Sequence, residues 1–176
     1  MVDFDKTLTS GDIEGGIVNV VVEIPIGSPN KIEWRREKTA FQLDRVEPSE
    51  FSEPSNYGFI PHTLNEDGNE LDALIISGES IPTGTVCKAK IIGVMKFEDE
   101  GDSDDKIIVV PIDDQSDGNT VNTLSDIPTQ KIDQITYYFT HYKDMIKPNC
   151  TIVKGWGDIS EAKKNIYKSI ELWNSQ

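Results

Sequence analysis

The sequence predicts an α+β fold in which a small β-barrel has α-helices packed beside it. Short segments rich in Val and Ile recur along the first two thirds of the chain, and the apolar spacing then changes to that of helices. We find no internal repeat and no linker. Many short strands followed by a helix, a strand and a helix favour a barrel with flanking helices over alternating βα units.

The strands are marked by β-branched runs that end at turn residues. Predicted strands cover residues 17–24, 31–34, 39–46, 72–77, 85–98, 106–112 and 151–156. Pro25 ends the first strand, and residues 47–58 are expected to form a loop because Pro, Ser and Glu are frequent there. The long strand contains Gly93, where a bend is expected. The acidic stretch 99–105 should turn it into a hairpin with the strand that follows.

Two helices are predicted in the last third of the chain. The first has apolar residues spaced 3, 4 and 3 apart, as on one helical face: Ile132, Ile135, Phe139 and Tyr142. Pro128 suits its first turn. The last helix is expected to begin with Ser160 as its cap. Its buried face would consist of Ala162, Ile166, Ile170 and Trp173.

Composition limits the classes of function. A chain of 176 residues suits one domain, and its formal net charge of −14 repels nucleic acid and anionic membranes while it attracts cations. The polar, acidic first residues do not resemble a signal peptide, and no apolar run approaches the ~18 residues of a membrane span. The two cysteines form no CxxC pair. A cytoplasmic protein is therefore expected.

The stretch "DFDKTLT" at residues 3–9 matches, in its letters, the nucleophile motif of haloacid dehalogenases. In that motif the first Asp must follow a buried strand, and here only Met1 and Val2 precede it. A solvated N-terminal tail is the preferred interpretation.

An unusual concentration of acid lies in "HTLNEDGNELDALIIS", residues 62–77. Asp67 and Asp72 are five residues apart, and Gly68 permits a tight turn that lets both carboxylates face one point. A second cluster at the tip of the later hairpin comprises Asp99, Asp102, Asp104 and Asp105. If the two turns meet, divalent cations would relieve the repulsion, and oxygen-only ligands suit Mg²⁺. Two separate, solvated acidic turns are the alternative.

Basic residues are scarce, so their placement matters. Lys31, Arg45 and Lys106 each flank the end of a predicted strand, and Lys143 follows Tyr142 at the end of a helical face. Singly, each is typical of a surface cation. Beside a metal cluster they would form a phosphate pocket, with Arg as a planar fork and Lys as point charges.

From about residue 17 to residue 173 the sequence resembles the family I soluble inorganic pyrophosphatases. The segments that carry the resemblance, in order, are "VVVEIPIGSPNKIEW", "LDRV", "PSNYGFIPHTL", "GVMKFEDEGDSDDKII", "FTHYKD" and "VKGWGD". The family signature Asp-x-Asp-Pro-x-Asp corresponds to residues 67–72. The resemblance implies a five-stranded, OB-like closed β-barrel flanked by two main α-helices. Residues 1–176 would form one domain, with 1–16 as an N-terminal extension.

The resemblance also implies a site and partners. The implied metal ligands are Asp67, Asp72, Asp99 and Asp104, which would hold three or four Mg²⁺ ions. The implied substrate-binding residues are Lys31, Arg45, Tyr57, Lys106, Tyr142 and Lys143. The partners implied are pyrophosphate and further copies of the chain in a homo-oligomer, with a hexamer favoured, and neither nucleic acid nor a membrane. Glu23 and Glu33 would act from behind the ligands.

Two positions depart from the family pattern. Asn69 stands where the family has an aspartate assigned as the base beside the attacking water, and Glu53 stands where most members have a tyrosine. An amide cannot take a proton but can accept a hydrogen bond. Three alternatives remain open: hydroxide generated by metal alone, a neighbouring carboxylate such as Glu70 or Glu53 as base, or a weak or inactive paralogue that binds phosphate compounds. No catalytic base is assigned.

Overall fold

The computed structural model describes residues 3–116 and 119–176. Met1 and Val2, the first two residues of the predicted extension, lie outside the described residues, as do Asp117 and Gly118. The strands are β1 (Ile17–Ile24), β2 (Asn30–Arg35), β3 (Ala40–Val46), β4 (Asn56–Ile60), β5 (Leu71–Ile75), β6 (Val86–Asp99), β7 (Asp102–Ser103), β8 (Lys106–Pro111) and β9 (Thr151–Gly157). The helices are α1 (Phe4–Thr7), α2 (Thr129–His141) and α3 (Ile159–Asn174). Short 3-10 turns lie at Arg36–Lys38, Ser49–Phe51 and Leu124–Asp126.

Five strands form the barrel. Their pairings run from β1 to β4, β5, β8 and β6, and β6 pairs again with β1, so the ring returns to its first strand. The β5–β8 pair is parallel and the other pairs of the ring are antiparallel. Ring formation leaves these strands without free edges. The predicted five-stranded, OB-like barrel with flanking helices is confirmed.

The long strand β6 connects the barrel to the rest of the chain. The register of its pairing with β8 shifts between Ile91 and Gly93, where the sequence predicted a bend. Past this point β6 pairs with β9, while β2 and β3 form a separate two-stranded sheet. Because β6 extends beyond the barrel, its far end carries the acidic hairpin tip away from the core.

The apolar residues divide into two main clusters. One fills the barrel and includes Ala162 and Ile166 of α3, as the predicted helical face requires. The other lies under α2 and includes Ile135, Phe139 and Tyr142. Ile132, Ile170 and Trp173 are only partly buried. Both helices therefore bury the predicted sides, and burial of these apolar faces is the main stabilising contribution of such helices.

Strand β4 corrects the sequence prediction, which assigned residues 47–58 to a loop. Asn56 and Gly58 look like turn formers, but every residue of β4 is buried. The Asn56 side chain accepts hydrogen bonds from the backbone N–H groups of Ile26 and Ile81, at 2.9 Å each. A Cβ on Gly58 would lie 2.1 Å from the carbonyl oxygen of Val21, so only glycine fits this close approach.

Two other expectations about the chain ends were wrong. Asp158, not Ser160, caps α3: its carboxylate accepts from the Glu161 N–H at 2.9 Å, and Glu161 returns the bond to the Asp158 N–H at 3.1 Å. The N-terminal segment is not a solvated tail, because Phe4 is buried in an aromatic cluster. Asp3 is the N-cap of a one-turn helix, so the described residues lack the strand context of a dehalogenase nucleophile.

Within residues 3–116 and 119–176, no helix combines the length and the apolar character that crossing a bilayer requires.

Candidate active site

One cleft with a volume of about 250 Å³ gathers the acidic and basic residues singled out in the sequence. Its lining includes all ten predicted site residues: Lys31, Arg45, Tyr57, Asp67, Asp72, Asp99, Asp104, Lys106, Tyr142 and Lys143. The alternative of two remote acidic turns is therefore wrong. The ring topology explains the convergence, since β5 and β8 are parallel neighbours and the hairpin tip precedes β8.

The acidic wall comes from two loops. Asp67 lies in the exposed turn before β5, and Asp72 is the second residue of that strand. Gly68 has a φ of +86°, a left-handed conformation that glycine adopts without strain. Asp99 ends β6, and Asp104 lies just before β8. All four carboxylates line the cleft, so the two loops form one acidic surface.

Lys106 lies buried between two of these carboxylates. Its Nζ is 2.6 Å from an oxygen of Asp72 and 2.6 Å from an oxygen of Asp104. The Tyr57 hydroxyl donates to the same Asp72 oxygen at 2.5 Å. At the other end of the cleft, Lys143 forms an ion pair with Asp99. Three predicted substrate-binding residues, Tyr57, Lys106 and Lys143, thus contact predicted metal ligands in this structure.

The close packing of these charges shifts their protonation. Burial raises the pKa of the Asp104 carboxyl to about 6, and the Asp72 charge adds to this while the Lys106 ammonium opposes it. For Lys106 burial disfavours the charged form, but the Asp72 and Asp104 carboxylates outweigh it and raise its pKa above the ordinary value. Burial, with the Asp72 charge, raises the pKa of Tyr57 well above its usual range. The two carboxylates therefore favour the charged form of Lys106.

Two further carboxylates lie deeper in the wall. Glu23 accepts a hydrogen bond from the Trp34 N–H at 2.6 Å, and burial together with the Asp72 charge raises its pKa to about 8. Glu53 accepts from the Tyr138 hydroxyl at 3.0 Å, and burial raises its pKa to about 7. The second oxygen of Glu53 is buried without a hydrogen-bond partner among the described residues. Both acids are therefore partly protonated near neutral pH in the absence of metal.

The basic wall comes mainly from the β2–β3 hairpin. Lys31 and Arg45 are paired across it, and the Lys31 ammonium lies 4.8 Å from the centre of the Tyr57 ring. Arg45 contacts Glu47 at 2.5 Å through Nε. Its Nη2 is buried without a hydrogen-bond partner among the described residues, which leaves one arm of the guanidinium for a ligand.

The acidic wall fits a hard divalent cation. Oδ1 of Asp99 is buried and has no hydrogen-bond partner within the described part of the chain. The available donors are all carboxylate oxygens. Such hard ligands suit Mg²⁺ better than they suit softer metals. Asp67, Asp72, Asp99 and Asp104 are the residues that would hold such an ion.

A profile of the Pyrophosphatase family, described as inorganic pyrophosphatase, matches residues 20–174. The chain belongs to the inorganic pyrophosphatase family.

Relatives and solved structures agree with this membership. The inorganic pyrophosphatase of Neisseria meningitidis serogroup B is 57% identical over all of this chain and 99% of the relative. That of Haemophilus influenzae is 54% identical over the whole of both chains. The crystal structure of an inorganic pyrophosphatase from Neisseria gonorrhoeae has a TM-score of 0.96 at 56% identity, over 98% of this chain and 99% of that one. The structure from Thermus thermophilus, at 34% identity, has a TM-score of 0.88 over 95% and 97%.

The pyrophosphatase cleft also includes residues that sequence reasoning did not assign to the site. They are Trp34, Arg35, Phe59 and Phe139. The aromatic residues appeared to be ordinary core residues, and Trp34 is indeed buried, so its contact with the cleft left no signal in the sequence. Arg35 pairs with Glu33 at 2.5 Å, and both residues line the cleft. Side chains alternate between the two faces of a strand, so Lys31 and Glu33 share one face of β2. This shared face was the signal in the sequence that could have placed Glu33 in the cleft.

Proposed function

We propose that this protein hydrolyses inorganic pyrophosphate to two phosphates in a Mg²⁺-dependent reaction. The observation that carries the proposal is one cleft lined by four aspartates together with Lys, Arg and Tyr side chains. Such a lining is complementary to a metal complex of a small polyanion. Pyrophosphate hydrolysis is also what the names of the Neisseria and Haemophilus relatives indicate.

The metal site is proposed on the four aspartates, with three or four ions. When bound, Mg²⁺ supplies neutralisation of phosphate charge and activation of the attacking water. The buried, unpartnered oxygen of Asp99 supports a ligand at that point. Because the carboxylates repel one another, cation binding should also stabilise the fold.

The basic wall would bind and orient the phosphates. Arg45 has one free guanidinium nitrogen, Nη2, to donate to a phosphate oxygen, and Lys31 offers a point charge above Tyr57. Tyr142 stacks on Tyr138 with ring centres 5.2 Å apart, which fixes the direction of its hydroxyl. Lys106 and Lys143 form ion pairs with the aspartates that would bind metal. Once Mg²⁺ takes the place of these ammonium groups beside the carboxylates, each lysine can turn toward a phosphate.

The position of Asn69 limits its chemical role. Its backbone N–H and its Nδ2 each lie 3.0 Å from the Asp67 carboxylate and donate to it. The amide oxygen faces away from that carboxylate and can accept a hydrogen bond from water. Asn69 therefore orients but does not deprotonate, and general-base assistance, typically worth ~10²–10⁴-fold, must come from elsewhere or be missing.

Two carboxylates are candidates for that missing base, and their contacts separate them. One of the two carboxylate oxygens of Glu70, Oε1, already accepts from Arg36 at 2.6 Å. Glu53 has an unpartnered oxygen and a pKa of about 7, raised by burial, which suits a base near neutral pH. Glu53 is therefore the better supported carboxylate base. Activation of the water by metal alone is the alternative to it.

The second candidate function is that of a weak or inactive paralogue that binds pyrophosphate or other phosphate compounds. Asn69 is the observation that favours it. A phosphate-release assay with Mg²⁺ on the wild type and on Asn69→Asp separates the two, with Asn174→Asp at the exposed end of α3 as the matched control. Turnover in the wild type supports the enzyme. Calorimetric binding of Mg²⁺–pyrophosphate without turnover supports the paralogue, and neither turnover nor binding contradicts both.

A homo-oligomer, with a hexamer favoured, is part of the proposal. Several large apolar side chains are exposed in the single chain, among them Val46, Met145 and Ile146 at 62%, 76% and 66% exposure. Exposed apolar groups of this size support association between copies. Light scattering after size exclusion tests it, and a monomeric mass would contradict it. The cytoplasm is the proposed compartment, which suits the free thiols of Cys87 and Cys150.

A further inference from the structure

The N-terminal segment, residues 3–7, is packed against the wall of the cleft. Phe4 is 5% exposed, and its ring centre lies 4.8 Å from that of Trp34 in an edge-on contact. Phe41 and Phe59 complete the cluster at 6.0 and 6.2 Å. Trp34 and Phe59 also line the cleft. A segment that precedes the barrel thus contacts the back of two cleft residues.

Arg36 joins this segment to the loop that carries the metal ligands. Its Nη2 donates to the Glu70 carboxylate at 2.6 Å. Its Nε lies 3.1 Å from the Asp5 carboxylate, which is an ion pair without hydrogen-bond geometry. The side chains of Asp5 and Glu70 are only 17% and 12% exposed. The guanidinium is also 4.5 Å from the centre of the Trp173 ring, where it gains a cation–π contact.

His62 links Trp173 to the N-terminal segment. The His62 ring stacks on Trp173 at 5.3 Å, with an interplanar angle of 10°. A ring nitrogen of His62 lies 2.5 Å from the Asp5 carbonyl oxygen. Asp5 of the N-terminal segment, Glu70 of the acidic loop and Trp173 at the end of α3 therefore meet at Arg36.

Other contacts also hold the turn of residues 66–70. At its ends, the Ser169 hydroxyl donates to Asn65 Oδ1 at 2.9 Å and the Leu71 N–H donates to the Thr63 hydroxyl at 2.9 Å. Within it, Gly68 N–H donates to the Asn65 carbonyl at 3.0 Å, and the Asn65 N–H donates to the Asn69 carbonyl at 2.7 Å. Outside it, Glu66 contacts Lys168, but both side chains are mostly exposed, at 79% and 65%. Exposed pairs contribute little, so the better-buried contact at Glu70 is the stronger restraint.

We infer that Arg36 is a positioning residue, which clamps the loop of residues 66–72 to the N-terminal segment. Asp67, Asn69 and Asp72 lie on that loop, so the clamp sets where the metal ligands stand before a cation arrives. Pre-organisation of this kind lowers the metal concentration that the site requires. The inference rests on the proposed function, because it assigns a purpose to a loop whose carboxylates bind Mg²⁺.

The test compares variants along the clamp with a neighbouring surface variant. Arg36→Met keeps an unbranched stem over Trp173 and removes the charge, while Glu70→Gln and Asp5→Asn remove the two partners. Lys38→Met is the control, because Lys38 is exposed on the same 3-10 turn and donates only to Gln42 among the described residues. Hydrogen exchange of the metal-free protein and calorimetric Mg²⁺ binding are measured together with phosphate release and melting temperature.

In Arg36→Met we expect amides of residues 65–70 to exchange about tenfold faster, while barrel amides keep the wild-type rate. We expect the Mg²⁺ dissociation constant to rise by about three- to tenfold, with a smaller change in kcat at saturating Mg²⁺. Glu70→Gln should reproduce both effects, and the double variant should add little to either. A general loss of stability would instead speed exchange throughout the barrel.

Wild-type exchange at residues 65–70 in both Arg36→Met and Glu70→Gln would overturn the inference, as would an Mg²⁺ affinity equal to that of Lys38→Met. If Arg36→Met does not fold, Asp5→Asn decides by the same two readouts. The exchange measurement needs no turnover. Absent phosphate release by the wild type would therefore contradict the proposed function while the clamp is judged separately.

Discussion

Asn69 donates its side-chain amide to the carboxylate of Asp67, with Nδ2 and Oδ2 3.0 Å apart. The contact joins the residue that departs from the family signature to a predicted metal ligand. Without a cation, the amide is a favourable neighbour for that carboxylate, whereas an aspartate would repel it. The asparagine thus stabilises the turn before metal binds. Unlike an aspartate, it cannot accept a proton from water.

Asn69→Asp should therefore lower the stability of the metal-free protein, and Mg²⁺ should stabilise this variant more than it stabilises the wild type. We expect a melting temperature lower by about 1–3 °C in EDTA, since the site is exposed and the repulsion is screened. Saturating Mg²⁺ should remove the difference. Thermal denaturation with and without Mg²⁺ measures both, and a variant that is more stable than the wild type in EDTA would contradict the repulsion argument.

Lys106→Met should have a much larger effect. It leaves Asp72 and Asp104 facing each other in a buried site without their shared cation. Removal of one member of a buried charge cluster typically costs about 3–5 kcal/mol. Urea denaturation in EDTA measures the loss, and Mg²⁺ should recover part of it.

Lys168→Met provides the control for this measurement. Lys168 also pairs with an acidic residue of the first loop, Glu66, but at the surface. Because that pair is exposed and screened by solvent, the free energy of unfolding should stay close to the wild-type value. Equal losses in the two lysine variants would mean that the buried position of Lys106 has no energetic consequence.

The buried acid Glu53 should make the stability of the metal-free protein depend on pH. Burial raises its pKa from 4.5 to about 7, so between these values the folded state binds more protons than the unfolded state. The contribution is therefore complete below pH 4.5 and is lost as pH rises through about 7, with a slope of at most about 1.4 kcal/mol per pH unit. Glu23, with a pKa of about 8, adds a loss of the same sign that extends to higher pH.

Glu53→Gln isolates this dependence, because the amide can still accept from the Tyr138 hydroxyl. The fall in stability between pH 4.5 and 7 should become shallower in urea titrations with EDTA. Glu50 is an exposed neighbour on the same segment. Glu50→Gln should leave the slope of unfolding free energy against pH the same as in the wild type. A slope that Glu53→Gln does not change would assign the dependence to other groups. If Glu53 also serves as base, the variant should lower kcat at pH 7.

Asn165 of α3 should stabilise the acidic hairpin. Its Nδ2 donates to Oδ2 of Asp105 at 2.8 Å, and Oδ1 of Asp105 accepts from the Phe97 N–H at 3.0 Å. Asn165→Ala should cost about 0.5–1.5 kcal/mol and weaken Mg²⁺ binding, because Asp104 is adjacent to the freed carboxylate. Calorimetry with Mg²⁺ and urea denaturation test both effects. Lys164→Ala, an exposed neighbour on the helix, is the control, and identical Mg²⁺ affinity in the two variants would contradict the coupling.

Much of the architecture could be predicted from local pattern. β-branched runs located β1, β5, β6, β8 and β9, and the spacing of Ile135, Phe139 and Tyr142 located the buried face of α2. These signals survive in the sequence because side-chain period and burial are tied to backbone geometry. β4 escaped detection because its Asn and Gly residues serve tertiary contacts that resemble turn chemistry.

The sequence by itself determined which groups would be present in the cleft: an excess of carboxylates, a few cations, and an amide where an acid was expected. Only the tertiary structure decided how they combine. Lys106 lies between Asp72 and Asp104 because β5 and β8 are parallel neighbours, and Arg36 reaches Asp5 and Glu70 because the N-terminal segment packs on β2. Charge and periodicity are properties of single residues and short windows. The contacts of Lys106 with Asp72 and of Arg36 with Glu70 each join residues 34 positions apart, and no local signal encodes them.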